Sequence, residues 1–98
     1  MEDKDPRYSY VRSVWKAGDL KSFDEIFRIV PKSIIATDLH LNYERFSTKV
    51  QNLRKLSLRE IENLSILIGI PFRALLELVL SGIASANPKD QNQPSETT

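Results

Sequence analysis

The side chains best suited to bonding another molecule lie between Lys32 and Asn52, in the stretch KSIIATDLHLNYERFSTKVQN. A helical period from about Tyr43 to Gln51 turns Phe46 and Val50 inward and leaves Tyr43, Glu44, Arg45, Ser47, Thr48 and Lys49 facing outward or flanking the seam. Hydroxyls, a carboxylate and two cations on one helix are what reading base edges in a DNA major groove requires. Any solvated helix carries such a face, so the face by itself decides little. Catalytic chemistry has less to work with. No nucleophile, base and orienting group occur as a set, and there is no glycine-rich phosphate loop. His40 is the only histidine and cysteine is absent, so a zinc site cannot be completed and His40 is expected to serve the turn it occupies. The expectation is a protein that is not an enzyme, with no cofactor, no metal and no small-molecule substrate.

Positioning that face falls to the elements around it. Pro31 opens a short helix in which Ile35, Ala36 and Leu39 share one side. The chain then turns through His40 and Leu41 to Asn42, an N-cap for the next helix, with Leu41 and Phe46 as a hydrophobic staple. Upstream, Asp5 and Pro6 start a helix with the stripe Tyr8, Val11, Val14 and Trp15, docked through Trp15 and stopped before Gly18. Ser22 and Glu25 form a capping box for a helix with Phe23, Ile26, Phe27 and Val30 on its apolar face, ended by Pro31. Downstream, Asn52 to Leu56 reads as a loop bearing Arg54 and Lys55. Ser57 and Glu60 form another capping box, and Leu58, Ile61, Leu64, Leu67 and Ile68 continue an amphipathic helix to Gly69. Pro71 opens a last helix with Phe72, Leu75, Leu76 and Val79 on one side and surplus apolar residues elsewhere.

Helices are therefore expected near 6 to 17, 22 to 29, 32 to 39, 43 to 51, 58 to 68 and 72 to 81, five in all or six if the N-terminal one forms. No strand is expected. The 98 residues suit one all-α domain, made of an N-terminal helical extension at 1–21 and a body at 22–83. Residues 1–4 are expected to fray, and the Ser-, Asn-, Pro-, Gln- and Thr-rich stretch at 84–98 to be a disordered tail.

Net charge is +1, but its distribution is uneven. Acids and bases cancel from Met1 to Pro31. From Lys32 to Arg59 there are six basic residues against two acidic ones, and beyond that acids lead. No apolar run approaches the roughly 20 residues that span a bilayer, and the start MEDKD lacks a signal peptide's order, so the cytoplasm is the expected compartment.

From Lys32 to Ile70 the residues resemble the lambda-repressor-like (Cro/XRE-type) helix-turn-helix domain. Ile35-Ala36 and Leu39 stand where that family has its first-helix Leu-Ala and Leu, and Leu41 and Phe46 occupy its core positions around the turn. Ser57-Leu58, Ile61, Leu64 and Leu67-Ile68-Gly69-Ile70 are similar to its fourth helix and closing Leu-Gly-Val. The stretch AGDLKSFDEIFRIVPKSIIATDL is also similar to small bacterial proteins of this superfamily, particularly from the Bacteroidetes. The chain departs from the pattern at His40, where the family usually has a glycine at positive φ, a conformation costing other residues roughly 1 kcal/mol. It departs again at NLRKL, where Asn-Gly and a later Pro are favoured, and at Lys49, where an apolar residue is common.

The resemblance implies a compact five- or six-helix DNA-binding domain and a transcriptional regulator that inserts residues 42–51 into the major groove. It implies base-edge contacts from Asn42, Tyr43, Glu44, Ser47 and Thr48. Lys32, Ser33, Arg45, Lys49, Asn52, Arg54 and Lys55 would contact phosphates, Lys32 and Ser33 from a helix N-terminus. The partner is then double-stranded DNA, and Leu78, Leu80 and Ile83 would join two copies reading half-sites about 34 Å apart. The rival is a helical protein-interaction module, or an antitoxin, with the same fold. Near-neutral total charge, Glu44 on the reading face and the missing glycine favour the rival; the basic excess at Lys32 to Arg59 favours DNA.

Overall fold

The computed structural model describes residues 5–86. Six α-helices follow one another: α1 (Arg7–Lys16), α2 (Phe23–Ile29), α3 (Lys32–Asp38), α4 (Tyr43–Gln51), α5 (Leu58–Ile68) and α6 (Phe72–Ala86). No strand occurs among the described residues. The loop expected after α4 is a 3-10 turn, Leu53–Lys55. Helix α6 runs past the expected end at 81, so residues 84–86 are helical and not tail; the remaining tail and residues 1–4 lie outside the described residues.

Each helix start follows local chemistry. Asp5 Oδ1 accepts from the Arg7 N–H at 2.8 Å while Pro6 holds φ −62°, so the acid caps α1 as expected. Asn42 caps α4 by accepting from the Arg45 N–H at 2.9 Å. Ser57 and Glu60 form the full reciprocal box at α5. The Ser22 box does not form: Glu25 reaches one residue further back, to the Lys21 N–H at 2.7 Å, and the Ser22 hydroxyl makes no cap bond.

Three helices stop in the same way. Gly18, His40 and Gly69 take φ of 79°, 60° and 93°, and the next residue's N–H reaches back five residues: Asp19 to the Val14 carbonyl, Leu41 to Ala36 and Ile70 to Ser65, at 3.0, 2.8 and 3.2 Å. These are Schellman endings, in which a left-handed residue redirects the chain and satisfies a helix carbonyl. His40 fills a place that glycine fills in the other two.

One core joins all six helices. Val11, Phe23, Ile26, Val30, Ile35, Phe46, Leu64, Ile68, Leu75 and Val79 are buried within it. Helix α3 packs on α4, α5 on α6 and α1, and α2 on α1 and α6. Phe27 stands edge-on to Phe23 and to Phe46, at centroid distances of 5.2 and 5.9 Å, so α2 props the inner side of α4. Such pairs add about 0.5–1.5 kcal/mol to simple burial. Trp15, expected to dock α1, is partly buried and packs against the core beside the buried Tyr8 and Val11. Leu58 and Phe72, expected inward, are exposed, each at the first position of its helix.

Candidate nucleic-acid interface

Phe46 and Val50, four residues apart, are buried and fix the roll of α4 about its axis. Thr48 between them, and Asn42 to Arg45 before them, are exposed. Asn42, Glu44, Arg45, Thr48, Lys49 and Lys55 line one shallow concave surface that runs from the cap of α4 to the 3-10 turn. Six of the residues expected to touch DNA are thereby brought together. The turn rests on α6, where a Cβ at Gly82 would lie 2.6 Å from Leu53 Cδ1. Gly82 thus sets how closely the turn bearing Arg54 and Lys55 approaches α6.

The other expected residues sit around this surface. Tyr43 is exposed beside it. Ser47 is partly buried and accepts from Lys32 Nζ at 3.3 Å, which joins the start of α3 to the middle of α4. Ser33 is exposed, and its carbonyl accepts from Thr37 Oγ1 at 2.9 Å. Asn52 and Arg54 are exposed at the 3-10 turn. The Thr48 hydroxyl donates to the Glu44 carbonyl at 2.9 Å, leaving its methyl and lone pairs outward.

Lys49 is already engaged. Its ammonium forms an ion pair with Glu60 Oε2, while Glu60 Oε1 accepts from the Ser57 N–H at 2.9 Å. Burial pushes the Glu60 carboxyl up, but the Lys49 and Ser57 bonds outweigh it and hold the group below its usual range. Sequence reading placed Glu60 in a capping box and missed its second partner, since nothing in an 11-residue separation marks the pair.

A second cleft lies among α1, the end of α3 and α5, lined by Tyr8, Arg12, Asp38, His40, Asn63 and Ile66 among others. Two of its polar side chains are held within the fold. Tyr8 donates to Asp38 Oδ2 at 2.7 Å, and Arg12 Nη1 donates to the Ile68 carbonyl at 2.8 Å. Burial, then the Asp38 bond, push the Tyr8 phenol above its usual value. This cleft is a seam that anchors α1. Among the described residues no cluster of His, Asp or Glu could hold a metal ion, and no helix is long and apolar enough to cross a membrane.

Comparison with family models, curated proteins and solved structures found no match to this chain.

Proposed function

We propose that the protein is a sequence-selective double-stranded DNA-binding regulator in which α3, the turn at His40 and α4 act as a helix-turn-helix. The supporting observation is the polar outer surface of α4, held outward by Phe46 and Val50 and continued by Lys55. A helix so presented fits a major groove about 12 Å wide, with Lys32, Ser33, Asn52, Arg54 and Lys55 at its flanks for the phosphates. Such a regulator works where DNA is, in the bacterial cytoplasm. Selection of bound duplexes from a random pool at moderate salt tests this. A recurring motif is the expected outcome; a folded protein that retains no duplex even at low salt would overturn it.

The rival reading, a protein-interaction module or antitoxin, draws on exposed apolar side chains. Leu58, Ile66 and Leu80 are 65, 71 and 54% exposed. Of the three residues expected to join a homodimer, only Leu80 is this open, while Leu78 and Ile83 pack partly against the core. A homodimer through α6 therefore centres on Leu80, and Leu80→Ser is expected to weaken self-association in sedimentation without unfolding the chain.

A further inference from the structure

Glu44 is the one carboxylate on the concave surface of α4, alongside Arg45, Lys49 and Lys55. Among the described residues its side chain has no hydrogen-bond or ion-pair partner, although three cations share that surface; Lys49 pairs with Glu60 instead. A first-turn acid favours a helix through the macrodipole, which accounts for helix stability. It does not account for an unpartnered negative charge on a surface that meets a polyanion.

On DNA this charge either repels phosphates or accepts from a base. The groove edge of guanine offers acceptors at N7 and O6, and thymine offers O4 and a methyl. A carboxylate is repelled by those acceptors. Adenine has an N6 amino donor, but its N7 acceptor lies beside it. Cytosine alone presents an amino donor with no acceptor beside it on its own groove edge, the O6 of its paired guanine lying on the other side.

Building on the DNA-binding reading above, we propose that Glu44 reads a cytosine by accepting from its N4 amino group, and rejects the other three bases by leaving its charge unpaired against them. Specificity at that position then comes as much from exclusion as from attraction.

The test uses the full chain and its Glu44→Gln and Glu44→Ala variants, each selecting duplexes from one random pool. The wild type is expected to recover a motif with one cytosine that neither variant requires. Glu44→Gln should move that position toward adenine, whose N6 and N7 suit a side-chain amide. On the wild-type site, N4-methylcytosine at that position fills the groove-facing donor with a methyl group and should weaken binding about tenfold, within the range expected for loss of one base contact. The same replacement at the site's other cytosines should not, and Glu44→Gln should bind the two duplexes equally. If both variants keep the wild-type motif and bind every duplex more tightly, Glu44 only repels phosphates; this inference is overturned while DNA binding stands. If the wild type selects nothing, the DNA-binding reading fails and takes this inference with it.

Discussion

Lys49 and Glu60 tie the last turn of α4 to the first turn of α5, and the same carboxylate closes the Ser57 capping box. Because folding lowers the Glu60 pKa, its contribution is complete above the unfolded value of about 4.5 and is lost as pH falls through the folded one. Glu60→Gln keeps a group able to bond the Ser57 N–H but removes the charge. It is expected to cost up to about 1 kcal/mol at neutral pH, as partly exposed pairs do. Urea unfolding across the acid range should show a shallower loss of stability than in the wild type. An unchanged acid slope would mean that the pair contributes nothing.

His40 should be the most improvable position in the turn. Relief of the left-handed penalty, about 1–2 kcal/mol, exceeds the extra chain entropy of glycine, about 0.5–1 kcal/mol. His40→Gly is thus expected to stabilise by about 0.5 kcal/mol, and His40→Val, branched at Cβ, to destabilise. Equal unfolding midpoints for the two variants would show that the turn tolerates another conformation.

Gly69 and Gly18 share a backbone conformation but not surroundings. A Cβ at Gly69 would lie 2.8 Å from Arg12 Cδ, whereas a Cβ at Gly18 would meet nothing within 4 Å. Gly18→Ala is expected to cost about 1 kcal/mol from backbone strain alone. Gly69→Ala should cost about 2–3 kcal/mol, since Arg12 must also leave the Ile68 carbonyl. In an Arg12→Ala background the excess should disappear, the non-additivity of a shared contact. Persistence of the full excess without Arg12 would locate its cause elsewhere.

What could be read from the sequence was what depends on near neighbours. Asp5, Asn42 and Ser57 cap their helices because a short side chain two or three residues away from a free N–H has little choice of partner. Gly18, His40 and Gly69 end theirs for similarly local reasons. Ser22 misled because Glu25 could satisfy either of two adjacent N–H groups, and it accepts from Lys21. Leu58 misled because periodicity assigns a helix face without saying where the neighbouring layer ends. Ala84 to Ala86 looked like tail by composition, yet alanine is the best helix former and prolongs α6. At the candidate interface, the outward set was legible from the spacing of Phe46 and Val50. The pairing of Lys49 with Glu60 and of Lys32 with Ser47 was not, since both require knowing which helices touch.

Lys55 offers the cleanest test of phosphate contact, because it lines the candidate surface and forms no ion pair among the described residues. Each neutralised phosphate contributes a slope of about 0.9 in log affinity against log salt. Lys55→Ala should shallow the slope by roughly that amount and weaken all duplexes alike. Loss confined to one motif, with the slope intact, would instead make Lys55 a base reader.

Helix α1 precedes the other described helices, and its long-range bonds close late. Its two polar anchors, Tyr8 and Arg12, bond to Asp38 and the Ile68 carbonyl, 30 and 56 residues further along the chain. During synthesis neither partner exists when α1 emerges, so it can pack on α2 but its two anchors wait for α3 and then for the whole of α5. A step that closes such long loops comes late and is the first to reverse. Helix α1 is accordingly the latch of the fold, and its amides should exchange with solvent ahead of those in α5.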